Sequence, residues 1–378
     1  MLSRVSSEIY KCMKCGWCRE EIQQICPARE VLGFESSFGR GRVALARGIL
    51  EGEFYYNDKL IERMYTCLGC ASCKVHCPLE VDTIEIFRAH REDAVEKGIP
   101  LPKSLEEINR VIEENKNPFG KSPELREKLA ESFELPSQGE VFYFGGCYDS
   151  YRLPQDFKNT VYILRKIGIN PAYLAGDEWC CGLPQIWNGS TDLARKLAKH
   201  NIEALKKAGA KQVITSCSGC FNAFGRFYRQ VLGEFHFEVI HITEFLANKL
   251  KSGQLRLKDL DVKYPGNITY HDPCHLGRHM GVYEEPRILL QQMFPKSFRE
   301  MSRNREKSWC CGGGAVVFPY LTQYSLEIAG RRIKEAVDTG VNMIITTCPT
   351  CINVLKIPAR KHKIDVKNLL DLLVDAVV

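Results

Sequence analysis

The sequence predicts a mixed architecture, α+β in its first quarter and α/β in the rest. A helical N-terminal module is followed by two duplicated α/β domains. Three observations predict it. Two C-x2-C-x2-C triplets lie close to the N-terminus, each with a trailing Cys-Pro. Ten later cysteines fall into two sets of five with matching gaps. Each set is threaded by the rhythm helix, glycine, short apolar strand, cysteine turn, which is that of a layered α/β domain. The boundaries we expect are 1–97 for the first module, 98–139 for a linker, and 140–262 and 263–378 for the duplicated domains.

Composition narrows the class. The chain has 378 residues, 44% hydrophobic and 26% charged, as in a globular protein. It carries 18 cysteines. Disulfide-dense scaffolds are short and secreted, whereas this chain opens "MLSRVSSEIYKCMKC", with no apolar run of the signal-peptide kind. No 18-residue apolar stretch predicts a membrane span. We therefore expect a cytoplasmic protein whose cysteines stay reduced and bind metal. The formal charge of +6 counts cysteine as neutral, so the surplus of Lys and Arg offsets metal-bound thiolates. No dense basic block points to nucleic acid.

The N-terminal motifs come first. Cys12, Cys15 and Cys18 form one triplet and Cys26-Pro27 follows; Cys67, Cys70 and Cys73 form the other and Cys77-Pro78 follows. This is the run of two-cluster ferredoxins, in which the trailing cysteine serves the other cluster. Two intervening residues let a tight turn aim neighbouring thiolates at one cuboidal cluster. One cubane [4Fe-4S] cluster is thus expected on Cys12, Cys15, Cys18 and Cys77, the other on Cys67, Cys70, Cys73 and Cys26. Four-cysteine zinc sites are the alternative; two consecutive triplets, each with a distant fourth thiolate, favour clusters. The pattern departs from type in one place: seven residues, "REEIQQI", separate Cys18 from Cys26, where three is usual. Between the motifs, "SSFGRGRVALARGILEGEF" reads as a helix. After them, Asp82 and Glu85 mark the start of another that ends at Gly98.

The duplication follows. Cys147, Cys180, Cys181, Cys217 and Cys220 are repeated as Cys274, Cys310, Cys311, Cys348 and Cys351, about 130 residues later. "VFYFGGC" and "ITYHDPC" each read as a strand delivering a cysteine to its end. "GAKQVITSCSGC" and "GVNMIITTCPTC" each read as glycine, buried strand, then C-x2-C, preceded by helices near 192–208 and 325–338. Sites in such sheets collect beyond the carboxyl ends of the strands, where five thiolates of one half converge. Five exceed the four that a cubane needs. Adjacent cysteines such as Cys180 and Cys181 suit a cluster in which one sulfur bridges two irons, and Gly182 and Gly312 let the backbone turn close to it. A buried thiol pair is the plainer alternative.

On "YHDPCHLGRHMGVYEEPR", "CCGGGA", "NPFG" and the two five-cysteine signatures, the chain resembles the CCG-domain family, and within it the branch of the D-type subunit of heterodisulfide reductase. The likeness covers almost the whole chain. It implies a noncubane [4Fe-4S] cluster on each five-cysteine set and a mixed disulfide of coenzyme M and coenzyme B between them. It also implies partner redox subunits, a membrane cytochrome b or a flavoprotein, and peripheral membrane attachment through that partner. Many relatives lack cysteines in the first half, whereas all ten are kept here. The expected activity is a relay: external donor, two cubane clusters, two noncubane clusters, disulfide. The alternative is a relay subunit with no substrate of its own, linking a flavin dehydrogenase or an electron-transfer flavoprotein to a membrane quinone or cytochrome.

Among other side chains, His271, His275 and His279 flank Cys274. His275 and Arg278 are the candidates for binding substrate or donating protons, against a supporting role around the cluster for the whole group. His76 reads as a supporting residue, and Trp179 and Trp309 as cluster shields or ordinary packing. The linker, with its "LEEINRVIEENK" helix, is expected to wrap onto the first domain. The closing "NLLDLLVDAVV" is expected to pack on the core as an amphipathic helix, with docking to a membrane subunit or partner protein as the alternative.

Overall fold

A computed structural model describes residues 1–18 and 26–378. The lengthened loop "REEIQQI", and its effect on Cys26, lies outside the described residues. Between the motifs, α1 (Gly39–Leu50) forms where the sequence predicts it. Its first turn needs glycine at 41, because a Cβ there would sit 2.0 Å from the Glu35 carbonyl oxygen. Asp82 caps α2 (Thr83–Glu96) by accepting the Glu85 N–H. Glu85 does not complete the reciprocal box; its carboxylate pairs with Arg88 and Arg226 instead. Val43 and Ala46 of α1 and Ile86, Phe87 and Ala89 of α2 meet Leu2, Val5 and Ile9 in one small core.

The linker is not free. It forms α3 (Lys103–Asn115) and α4 (Glu124–Ser132). Asn109 of α3 donates to Ser190 and accepts from Gln185 and Asn188, all in the first duplicated half. The Lys116 carbonyl accepts the Cys180 N–H.

Each half contains one three-stranded parallel sheet. The first holds β1 (Val141–Phe144), β2 (Gln212–Thr215) and β3 (Glu238–His241), in that order. Its principal helices are α5 (Pro154–Lys166), α6 (Thr191–Lys207) and α7 (Ile242–Lys251). The second repeats the plan with β4 (Ile268–Tyr270), α8 (Glu284–Met293), α9 (Thr322–Asp338), β5 (Met343–Thr346), α10 (Pro349–Ala359), β6 (Asp365–Asn368) and α11 (Leu369–Ala376). Even the fringe is copied: Ala172 bridges Phe142, and Phe298 bridges Ile268, each extending its sheet by one residue. The central strands β2 and β5 are short and largely buried, as parallel strands covered by helices are. α6 and α9 match the two predicted helices, and Gly209 and Gly340, at positive φ, release the chain from helix to strand.

The halves pack on each other reciprocally. α5 of the first lies against α11 of the second, and α7 of the first against α8 of the second. Ile163, Leu164, Phe245 and Leu246 thereby share one core with Leu289, Leu290, Leu369, Leu372 and Leu373. α11 is thus packed inside the protein. Truncating Leu372, wholly buried, to alanine would cost about 2–5 kcal/mol. Two polar pairs cross the same seam: Asn368 donates to Asp156 at 2.7 Å, and Asn159 to Asp371 at 2.9 Å.

Candidate metal centres

The sequence turns place thiols together in four groups. In the N-terminal module one cavity is lined by Cys12, Cys15, Cys18 and Cys77, and a second by Cys26, Cys67 and Cys70; Cys73 and Gly39 border both. Gly39, the first residue of α1, is what lets them abut. A Cβ there would stand 3.0 Å from Cys73 Cβ and 3.3 Å from Cys18 Sγ. Cys15 is the exposed cysteine of the eighteen, and Met13 and Trp17 beside it are exposed too. Burial pushes the Cys26 thiol up to about 12.

The five-cysteine sets lie deeper, at the carboxyl ends of β1, β2, β4 and β5, as sheet geometry requires. In the first half the side chains touch in series, Cys147 to Cys180, Cys180 to Cys181, Cys181 to Cys220, and Cys220 to Cys217. In the second, Cys274 meets Cys310, Cys310 meets Cys311, Cys311 meets Cys351 at 3.2 Å, and Cys351 meets Cys348. None forms a disulfide. Hydrogen bonds from Cys180 and Cys220 hold Cys181 down to about 6; those from Cys310 and Cys351 hold Cys311 well below the ordinary thiol value. The remaining buried thiols are mostly pushed upward, so several thiolates require a polycation to coexist there. The tight turns at Gly182 and Gly312 run at φ +74° and +91°, and their N–H groups lie 3.5 Å from the sulfurs of Cys180 and Cys310. Buried, thiol-rich donor sets approached by backbone N–H groups suit iron–sulfur clusters.

The groups are in contact with one another. Cys70 of the N-terminal module touches Cys310 of the second half. The two halves meet over their own C-x2-C turns. Tyr148, which follows Cys147, reaches Thr350 and Asn353 and lies beside Cys348 and Cys217. His275, which follows Cys274 at the matching position, stands over Gly219: a Cβ there would be 3.6 Å from Cys217 Sγ and 3.8 Å from His275 Nδ1. Each half therefore sends one polar ring onto the other's turn. Ser218 closes the seam by donating to the Thr347 carbonyl at 3.0 Å.

Buried cations surround these thiols. Arg126 of α4 pairs with Glu178 at 3.0 Å and points Nη2 at Cys147 Sγ, 3.8 Å away. Burial pushes the Glu178 carboxyl up to about 7, while Arg126 opposes the rise. Arg278 donates to the carbonyls of Cys70, Glu306 and Ser308, and His279 is hydrogen-bonded to the Gly69 carbonyl at 2.8 Å, so both tie the N-terminal module to the second half. His275 is buried with Nε2 unpartnered, and desolvation lowers it to about 4. His76 is hydrogen-bonded to the Ser72 carbonyl. Trp309 donates to the Ile328 carbonyl, and Trp179 stacks on His200; both are packing contacts.

Three participants escape sequence reasoning. Arg91 of α2 is 1% exposed and donates to the carbonyls of Met64, Cys67, Trp187 and Ala315, which belong to all three modules. No pattern singles it out. Arg126 sits in a charged linker helix that reads as solvated. Tyr148 has a signal, since it occupies the position that His275 holds in the repeat.

Comparison with known proteins agrees with this assembly. A cysteine-rich CCG domain matches residues 141–225 and again 268–356, and a 4Fe-4S dicluster domain matches 8–81. These modules define an iron–sulfur oxidoreductase subunit. The D-type subunit of the dihydromethanophenazine:CoB–CoM heterodisulfide reductase of Methanosarcina barkeri is 32% identical over 98% of this chain and 94% of its own; that of Methanosarcina mazei is 31% identical over the same shares. The EtfAB:quinone oxidoreductase of Syntrophomonas wolfei is 29% identical over 81% of this chain and 45% of its own. The chain belongs to the CCG-domain iron–sulfur proteins, in the family of the D-type heterodisulfide reductase subunits. Among the described residues, no helix is long and apolar enough to cross a membrane.

Proposed function

We propose that this chain reduces a disulfide of the coenzyme M–coenzyme B type, or one built like it, at the seam between its two halves. Electrons from a partner redox subunit, a flavoprotein or a membrane cytochrome, enter at the exposed edge around Cys15. Cubane [4Fe-4S] clusters belong on Cys12, Cys15, Cys18 and Cys77 and on Cys26, Cys67, Cys70 and Cys73; noncubane ones belong on the two five-cysteine sets. When bound, these clusters supply single electrons, and a disulfide needs two, together with two protons. The observation that carries the proposal is the succession of thiol groups, joined between the two halves by the ring of Tyr148. Cys73 borders both N-terminal cavities, Cys70 touches Cys310, and Cys348 and Cys217 flank Tyr148.

The chain's own residues then have assignable work. Tyr148 and His275, delivered crosswise to the opposite turns, are the polar rings placed to hydrogen-bond the two product thiolates. Arg126, paired with Glu178, and Arg278 offset thiolate charge beside Cys147 and Cys274. The packed apolar seam keeps water from the reacting sulfurs. Anaerobic protein with full iron content, given reduced viologen and the coenzyme M–coenzyme B disulfide alongside simpler disulfides, should turn over at least one of them. Full iron content with no turnover on any would overthrow the disulfide reading. The likeness to EtfAB:quinone oxidoreductase supports a second reading, a relay to a quinone pool. Quinone reduction by viologen-reduced protein, with disulfides inert, would select it.

A further inference from the structure

We infer that Arg332 and His271 form a positioning pair that raises the reduction potential of the second five-cysteine centre. The inference rests on the reading above, that each five-cysteine set holds a cluster.

His271 follows β4 directly and is 1% exposed; Arg332, on α9, is fully buried. Arg332 Nε donates to His271 Nδ1 at 3.1 Å. A guanidinium has donors only, so Nδ1 must be the bare nitrogen and the ring proton sits on Nε2. That N–H is the group left to meet the thiolate of Cys311, to which the imidazole is hydrogen-bonded; one ring nitrogen and the sulfurs of Cys311 and Cys351 lie within 4.8 Å of one another. Arg332 is itself fixed on three further sides. It donates to the Arg303 carbonyl at 2.8 Å, to Ser308 Oγ at 3.3 Å and to the Glu335 carboxylate. The tautomer and the aim of the ring are thus set from behind, as a carboxylate sets a zinc-bound histidine, with the polarity reversed.

The matching positions of the first half hold no such device. The residue matching His271, 127 positions earlier, is Phe144, whose ring packs on Phe224. The residue matching Arg332, 131 positions earlier in α6, is Asn201. Its amide bonds the backbone of Trp179 and Cys180 and the Tyr228 hydroxyl rather than a cysteine sulfur. An N–H aimed at a ligating thiolate draws off negative charge, and the reduced cluster carries one charge more than the oxidised one. The bond therefore favours reduction. The step is one electron onto the centre with no proton transferred, His271 remaining neutral throughout. Cys70 touches Cys310 of this half, so the centre that the pair tunes is also the one that meets the entry path.

The test uses the full-length chain reconstituted anaerobically with iron and sulfide. Potentials are followed by EPR, and the two five-cysteine signals are assigned with Cys147→Ser and Cys274→Ser. His271→Phe and Arg332→Asn each give the second half what the first half carries. We expect both variants to keep their iron. At a fixed ambient potential each should lower the reduced-to-oxidised ratio of the second centre about tenfold, which is ~59 mV for a one-electron couple. The first centre should not move. His271→Gln, which can still present an N–H, should recover part of the shift. If both centres move alike, or neither does, the inference fails. Loss of iron from the second set in His271→Phe and His271→Gln, with Arg332→Asn fully loaded and unshifted, would make the imidazole a ligand and also overturn it. Wild-type protein without iron in either five-cysteine set would fell the functional reading itself, and that result is read before any variant is made.

Discussion

Arg91 offers the sharpest trial of how the three modules are held together. Replacing it with methionine keeps most of the side-chain volume and removes the guanidinium. Its donors meet Trp187 O at 2.6 Å, Met64 O at 2.7 Å, Cys67 O at 2.9 Å and Ala315 O at 3.3 Å. Met64 O keeps the Cys67 N–H at 3.4 Å, whereas the other three carbonyls lose this donor. Each carbonyl stranded in the interior costs about 1–3 kcal/mol. Part of that is returned because a cation no longer has to be desolvated, and the four partners left behind are neutral carbonyls rather than a carboxylate. The net loss is about 3–5 kcal/mol, or roughly 4–6 °C in the melting midpoint. Because the bonds span the N-terminal module, Trp187 of the first half and Ala315 of the second, the loss should show as early release of the N-terminal module. Scanning calorimetry and limited proteolysis of the anaerobic, iron-loaded protein would read it as a new low-temperature transition with cleavage near the linker. Arg91→Lys, which can reach fewer carbonyls, should fall between. A single transition at the wild-type midpoint for Arg91→Met would refute the reasoning.

Three further outcomes follow from the same geometry. Gly312→Ala should be worse than Gly182→Ala: its Cβ would lie 2.3 Å from the Ser325 carbonyl oxygen at φ +91°, against 3.3 Å from Ala194 Cα at φ +74°. We expect a loss of about 3 kcal/mol or more against about 1–2, read by thermal melts and by the iron retained in each half. Gly39→Ala should strip iron from the N-terminal module while the five-cysteine sets stay loaded, as elemental analysis with EPR would show. Burial pushes the Asp156 carboxyl up to about 8, against about 3.9 in the unfolded chain. The folded state therefore keeps a proton that the unfolded state gives up. This contribution is complete below pH ~4 and is lost as pH rises toward ~8. Asp156→Asn, which still accepts from Asn368, should melt close to wild type at pH 5 and above it at pH 8.

Much of the architecture is legible in the residues because thiol spacing and helix–glycine–strand periodicity are local signals. α6 and α9 lie where the apolar stripes before Gly209 and Gly340 put them, and the repeat of five cysteines announces the second sheet before any strand is located. The wrapping of the linker follows from the fixed geometry that a relay needs; its anchor, the bonding of Asn109 to Ser190, Gln185 and Asn188, has no sequence signature. The missing parts are long-range. Apolar periodicity says that Leu369, Leu372 and Leu373 face a core, but not that the core belongs half to the other repeat. A buried cation such as Arg91 or Arg126 reads like any surface arginine until the carbonyls or the carboxylate around it are assembled by the fold. Tyr148 is within reach by aligning it with His275, yet its delivery to the opposite turn depends on how the halves cross.

That crossing has a consequence for the repeat taken alone. A solitary copy of the repeat would leave the stripes now shared by α5, α7, α8 and α11 wetted, and its C-x2-C turn would lack the ring that a neighbour supplies. A one-repeat protein with these surfaces would need a second copy to cover them. Joining two such copies in one chain keeps them together and lets the two sides differ, an imidazole standing at 271 where a phenyl ring stands at 144.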